Sequence, residues 1–167
     1  MTNVQSYSKK VISHFKNPHN YGKLKHPDGI GEVGNVVCGD VMHLYIKISK
    51  NKQGKEIIKN IGFETYGCAA AIATSSVITD LAKNKTLDEA LRIQKDDIIA
   101  LLEQLPPIKV HCSLLAVDAL NEAIYDYLSK KGKPIPEYLE ELHKRLQKSK
   151  CEIEDRYGEW VGEQRKL

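Results

Sequence analysis

The sequence predicts a small domain of mixed helix and strand, in which a three-stranded antiparallel meander precedes a set of helices. Apolar residues alternate at period two over 42–48, as in a strand with one buried face. Apolar residues at 30–37 and 57–63 predict two further strands, and the polar turn 51–54 joins the second strand to the third. After Gly67 the periodicity becomes helical, so the strands come first and the helices follow.

Caps and breakers locate the first helices. Ser6 is expected to cap a short N-terminal helix, which Pro18 ends. The segment 69–83 contains no strong breaker and predicts a longer helix after the sheet. Thr86 and Glu89 have the spacing of a capping box, which predicts the start of the next short helix.

The C-terminal half is also predicted to be helical. One helix is expected around 96–104, ahead of a Pro-Pro pair, and a long amphipathic helix over 114–128. Two lysines and Gly132 follow, which is a typical C-terminal helix signal. We therefore expect a core domain at 1–132 and a C-terminal extension at 133–167 that is helical or mobile.

Composition argues against several classes of partner. The 167 residues include 25 basic and 22 acidic side chains, so the net charge of +3 gives no large field for nucleic acid or lipid. No apolar run reaches the roughly 18–20 residues of a membrane span, and the polar N-terminus lacks the apolar stretch that a secretory signal contains. We expect a cytoplasmic protein without nucleic-acid or membrane partners, whose four cysteines remain thiols.

Two of the thiols lie at positions where they can meet a metal ion. Cys38 and Asp40 flank a glycine between two predicted strands, so a thiol and a carboxylate can reach one ion. Cys68 directly precedes the helix over 69–83, where the helix dipole stabilises a reactive thiolate. A single cysteine is more often a small buried side chain, but that reading weakens when several thiols share such positions.

A third thiol completes the group. Cys112 directly follows His111 and lies three residues after Lys109, so positive charge is expected to favour its thiolate. No two cysteines have the spacing of a local zinc knuckle, so folding must bring distant ligands together. The candidates outnumber the four positions of a tetrahedral ion, which leaves room for ligand exchange or for a two-iron cluster. The candidate ligands are Cys38, Asp40, Cys68, His111 and Cys112.

Longer motifs extend over roughly residues 6–130. They are Tyr7-Ser8-Lys9-Lys10-Val11-Ile12, Asn17-Pro18 with Asn20-Tyr21-Gly22, Val33-Gly34-Asn35 through Cys38-Gly39-Asp40, Tyr66-Gly67-Cys68 with Ala71-Ile72-Ala73, and Leu105-Pro106-Pro107-Ile108-Lys109-Val110-His111-Cys112-Ser113. Together they closely resemble the iron–sulfur cluster assembly scaffold family of the IscU type, which is related to the N-terminal domain of NifU.

The resemblance implies an α+β fold with a three-stranded sheet flanked by helices, and a scaffold in place of an enzyme. A [2Fe-2S] or [4Fe-4S] cluster would be assembled on the five candidate ligands from iron and desulfurase-derived sulfur. Cys112 would receive persulfide sulfur from a cysteine desulfurase, and the finished cluster would pass to recipient apo iron–sulfur proteins. The chain would act as a monomer or a homo-oligomer.

One segment has two open interpretations. The segment resembles the one that a dedicated Hsp70-type chaperone, with its co-chaperone, grasps in bacterial relatives. Alternatively, its two prolines form a rigid turn that only aims His111 and Cys112. The residues of the segment are Leu105, Pro106, Pro107, Ile108 and Lys109.

Two other functions also remain open. The first is a zinc-dependent persulfide acceptor, a sulfurtransferase of the SufU type, although such relatives have a longer insert between the second and third cysteines than 69–111 here. The second is a zinc-stabilised interaction module, which explains the ligands but not Lys109 beside His111 and Cys112. Cys151 lies in the polar extension and is expected to be incidental.

Overall fold

A computed structural model of the protein describes residues 7–34 and 39–164, with side chains up to residue 152. A 3₁₀ turn at Pro107–Lys109 leads directly into the fifth helix. None of the helices in this described part is long and apolar enough to cross a membrane. The helices are α1 (Lys9–Lys16), α2 (Ala69–Ala82), α3 (Leu87–Leu91), α4 (Lys95–Leu101), α5 (Val110–Lys130) and α6 (Glu137–Gln164).

The predicted antiparallel meander is confirmed, with strands in the order β1-β2-β3. The period-two pattern of β2 places Met42, Leu44 and Ile46 in the core, where each is 1% exposed or less. Helices α2 and α5 pack against this sheet, which gives the α+β architecture. The strands are β1 (Gly29–Gly34), β2 (Val41–Lys50) and β3 (Glu56–Tyr66).

Close packing of α5 on β1 depends on small residues. A Cβ atom at Gly31 would overlap the carbonyl oxygen of Ala119, and one at Gly29 would overlap that of Ala123. Glycine therefore lets the helix backbone approach the strand, and this sets how closely α5 lies on the sheet. Asp126 of α5 strengthens the contact, because its carboxylate accepts a hydrogen bond from the backbone N–H of Ile30.

The helix starts and ends predicted from the sequence agree with the structure only in part. The capping box of Thr86 and Glu89 is confirmed, with both reciprocal hydrogen bonds present. The prediction for the first helix was wrong by two residues, because Ser8 caps α1 by accepting a hydrogen bond from Val11 N–H. The helix expected around 96–104 ends at Leu101, since Glu103 has a φ of 64° and cannot continue it.

The C-terminal extension forms α6, and its first turns pack on α5. Leu139 is 1% exposed and belongs to the main core. His143 Nδ1 lies 2.5 Å from Glu122 Oε1, and the His143 ring stacks on Tyr125 with centroids 3.8 Å apart. The extension therefore begins as part of the folded domain.

Asp118 of α5 is partly buried near this contact, and burial raises its pKa to about 6 despite the neighbouring Arg145. An acid whose pKa is raised by folding favours the protonated form, so stability falls as pH rises from about 4 through about 6. We expect Asp118→Asn to increase the free energy of unfolding at neutral pH by about 1 kcal/mol, and to have little effect near pH 4. Urea unfolding at both pH values measures the difference. Equal stabilisation at both would contradict the assigned cause.

Candidate functional site

The strand register brings three chain segments together where β1 and β3 end and β2 begins, a place called the sheet edge below. Val41 at the start of β2 pairs with Gly34 at the end of β1 and with Tyr66 at the end of β3. Asp40 precedes β2, and Cys68 follows β3 as the N-cap of α2. Asp40 and Cys68, from two distant parts of the sequence, therefore adjoin one sheet edge.

Two glycines shape this edge. Gly39 has a φ of 67°, a left-handed conformation that glycine adopts without a Cβ penalty. A Cβ at Gly67 would lie 2.8 Å from Asp40 Oδ1, so a larger residue there would displace the carboxylate. Asp40 itself is 5% exposed, which places a carboxylate below the surface beside the start of α2.

Helix α5 contributes the other two candidate side chains. Cys112 is 1% exposed, and its Sγ lies 3.9 Å from Cys68 Sγ and 3.9 Å from Asp40 Oδ2. His111 Nε2 lies 3.6 Å from the same sulfur. The Thr74 hydroxyl donates to the Cys112 carbonyl at 3.2 Å, which ties the start of α5 to α2. Cys68, Asp40 and His111 thus each approach Cys112.

The separations suit one tetrahedral ion or the edge of a small cluster. Two thiolates bound to one tetrahedral ion at about 2.3 Å would have their sulfurs about 3.8 Å apart. Cys68 and Cys112 are 3.9 Å apart without any ion. One ligand atom each from Asp40, His111 and Cys112 also lies within 4.8 Å of the others. Cys68 adjoins this group of three through Cys112, so a shift of its side chain would bring a fourth ligand to the same ion.

The electrostatics of Cys112 differ from the sequence-based expectation. Burial raises the pKa of the Cys112 thiol, and the neighbouring Cys68 and Asp40 raise it further. Lys109 opposes this rise but does not overcome it. Positive charge from Lys109 therefore does reach Cys112, but in the metal-free chain burial and the two neighbouring groups outweigh it.

Lys109 and Tyr7 border the group. Cys68 raises the pKa of Lys109 by its charge and by a side-chain hydrogen bond, so the ammonium faces that thiol. Burial raises the pKa of Tyr7, and Cys68 and Cys112 add to the effect. Sequence reasoning did not single out Tyr7, although it lies in the first motif; its contact with residues some sixty to a hundred positions away arises only on folding.

The remaining sequence-based candidates have different placements. Cys38 directly precedes Gly39 in the sequence and lies outside the described residues. Cys151 is exposed on α6. Within Leu105–Lys109, Leu105 is 5% exposed whereas Ile108 is 77% exposed on the turn before α5. That segment therefore has an anchored start and an apolar side chain facing solvent.

Comparison with known proteins was made by sequence and by fold. The family described as "NifU-like N terminal domain" matches residues 6–134. The chain is 50% identical over 155 residues to the "Iron-sulfur cluster assembly scaffold protein IscU 1" of Archaeoglobus fulgidus, covering 92% of this chain and 97% of the relative. It is 51% identical over 129 residues to the protein named IscU of Escherichia coli K12, covering 75% and 97%.

Two solved structures have folds similar to that of this chain. The crystal structure of a SufU scaffold described as putative, from Fervidobacterium islandicum, has a TM-score of 0.57 and 25% identity, covering 71% of this chain and 96% of that one. The N-terminal domain of a NifU-like protein from Brucella abortus has a TM-score of 0.59 at 22% identity, covering 73% and 94%. At 22% identity, the similarity to the Brucella abortus protein concerns the fold alone.

Proposed function

The chain belongs to the NifU-like N-terminal domain family and is an iron–sulfur cluster assembly scaffold of the IscU type, and we propose that it assembles its cargo at the sheet edge described above. The observation that carries this placement is the approach of Cys68 to Cys112, with Asp40 and His111 beside them. Cys38 is proposed as a further ligand from its sequence position two residues before Asp40.

We propose a [2Fe-2S] cluster as the cargo. Such a cluster takes four protein ligands, two on each iron, and five candidates are available here. Thiolates are the preferred ligands of iron–sulfur clusters, whereas Asp40 is a hard oxygen ligand. One position can therefore alternate between Asp40 and His111 while the three thiolates hold the cluster.

Sulfur enters, in this proposal, through Cys112. Because burial raises its pKa, the Cys112 thiol first loses its proton. The resulting thiolate attacks the outer sulfur of a persulfide on a cysteine desulfurase; a new S–S bond forms, and the donor cysteine leaves as a thiolate. Releasing that sulfur as sulfide then consumes two electrons from an external reductant. Because Cys112 is 1% exposed, neighbouring residues must first move to admit the donor.

The scaffold role implies a sulfur donor and recipient apoproteins as partners. The chain, as monomer or homo-oligomer, releases its cluster to the recipient apoproteins in the cytoplasm. It does not turn over an organic substrate. An Hsp70-type chaperone, acting with its co-chaperone, is proposed to grasp Leu105–Lys109. Ile108 is 77% exposed there, and an apolar side chain on a short turn is accessible to a peptide-binding groove.

Anaerobic reconstitution tests the proposed cargo. The metal-free chain is incubated with ferrous iron, a sulfide source and reductant, and is then examined by visible absorption and Mössbauer spectroscopy. We expect a coloured protein with equal amounts of bound iron and acid-labile sulfide. A colourless protein that takes up zinc but no iron would instead support the second candidate, a zinc-dependent persulfide acceptor. The thiol separation suits that ion equally well.

Zinc should compete for the same ligands, because a tetrahedral set of thiolate and imidazole binds it well. Removing zinc with a chelator is expected to lower the melting temperature, since zinc bound only by the folded state stabilises it. At a free zinc concentration of 100 times Kd, this stabilisation is about 2.7 kcal/mol. Differential scanning calorimetry measures the change, with Cys112→Ser expected to reduce it and Cys151→Ser to leave it intact. An unchanged melting curve after chelation argues against a shared site.

A further inference from the structure

A second group of metal-binding side chains lies between α1 and α2, away from the thiols. His14 belongs to α1, His19 to the turn that follows it, and Asp80 to α2. One ligand atom from each of these residues lies within 4.8 Å of the other two. The sequence gives no sign of this group, because only the packing of α1 on α2 brings its members together.

A buried hydroxyl holds the ring of His14 and the backbone of His19. Ser76 is fully buried, and its Oγ lies 2.8 Å from His14 Nδ1 and accepts the backbone N–H of His19 at 2.8 Å. A His14 ring that carries its proton on Nδ1 donates to this oxygen, and Nε2 then holds the lone pair. Metal-bound histidines are usually oriented by such a hydrogen bond from the other ring nitrogen.

The turn that presents His19 is also held in place. Asn20 has a φ of 57°, and its side-chain amide donates to Thr79 Oγ1 at 3.0 Å. Its backbone carbonyl accepts from Phe63 N–H, which ties the turn to β3. Asp80 Oδ2 lies 2.6 Å from His19 Nδ1, so a proton now bridges the two groups. A cation can replace that proton.

We propose that His14, His19 and Asp80 form a second metal site, for a first-row divalent transition-metal ion such as zinc. Two imidazoles and one carboxylate are a ligand set that such ions favour, and the exposure of His19 and Asp80 leaves the other positions to water. Asp80 lies more than three turns along α2 from Cys68, or about 18 Å at 1.5 Å per residue. One ion cannot reach both groups.

Titration of the untagged, metal-free chain with Co²⁺ under anaerobic conditions tests the second site. We expect two equivalents to bind. The tighter one should produce the near-ultraviolet absorption of sulfur bonded to cobalt, and the weaker one only the visible bands of nitrogen and oxygen ligation. Zinc should displace both. A single equivalent with the sulfur signature would overturn the proposal.

Asparagine variants identify the ligands, because asparagine keeps a hydrogen-bonding group but supplies no imidazole or carboxylate. His19→Asn and Asp80→Asn should each weaken the second equivalent by about 100-fold or more and leave the sulfur-ligated equivalent unchanged. Both side chains are partly exposed, so the metal-free melting temperatures should stay close to that of the parent. The exposed His26, which lies outside the group, provides the matched control His26→Asn. Retention of the second equivalent in both test variants would refute the assignment, whatever happens at the thiols.

Discussion

Replacing Cys112 with serine is expected to reduce cluster loading to less than about a tenth of the parent level, because a neutral hydroxyl binds cluster iron much more weakly than a thiolate does. Cys112 Sγ lies within 3.9 Å of Cys68, Asp40 and His111, so it is the atom that links the other candidates. Iron and acid-labile sulfide per chain, together with visible absorption after anaerobic reconstitution, measure the loss. Cys68→Ser should behave in the same way.

The controls for this prediction separate ligation from folding. Serine is close to cysteine in size, so the buried position of Cys112 should remain packed and the metal-free chain should melt as a cooperative unit. Cys151→Ser removes an exposed thiol on α6 and should load normally. Normal loading of Cys112→Ser would remove Cys112 from the ligand set and, with it, the proposed place of assembly.

Replacing Asp40 with alanine is expected to slow cluster transfer to an apo-ferredoxin by about tenfold, which corresponds to about 1.4 kcal/mol in the activation barrier. The carboxylate is a hard ligand among soft ones, so it bonds iron weakly and exchanges readily. Without it, His111 has no competitor for the fourth position. The loss of a negative charge 3.9 Å from Cys112 also reduces repulsion within a thiolate-rich site.

Asp40→Asn provides the matched variant, because it keeps the shape of the side chain beside Gly67 and removes the charge. It should slow transfer as Asp40→Ala does, with a melting temperature near that of the parent. If Asp40 only supports the turn, Asp40→Ala should lower the melting temperature, and the lifetime of the cluster should not change. Transfer that is unchanged or faster in both variants would exclude the labile-ligand role.

The sheet, and the placement of most candidate ligands next to strand ends or helix starts, could be predicted because the sequence patterns that indicate them are local. Alternation along β2 predicts one buried face, and the antiparallel order then brings the segments before β2 and after β3 together. Cys68 and Cys112 could be predicted near helix starts for the same reason. Their 3.9 Å separation could not, because it depends on how α5 lies on the glycines of β1.

Other features depend on contacts between distant residues and were beyond sequence patterns. Glu103 ends α4 early by adopting a left-handed conformation that its residue type does not suggest. The extension was expected to be helical or mobile, and its helix α6 is held by Leu139 in the core and by His143 against Glu122. The ring of His14 meets Asp80 only through the packing of two helices.

Direct transfer of a cluster tests the central claim most closely. The reconstituted chain is mixed anaerobically with an apo-ferredoxin, in the presence of a chelator that captures any free iron. The scaffold account predicts that the ferredoxin gains its cluster spectrum while the scaffold loses its own, at a rate that the chelator does not reduce. A cluster that remains on the chain, or iron that passes only to the chelator, would contradict the account.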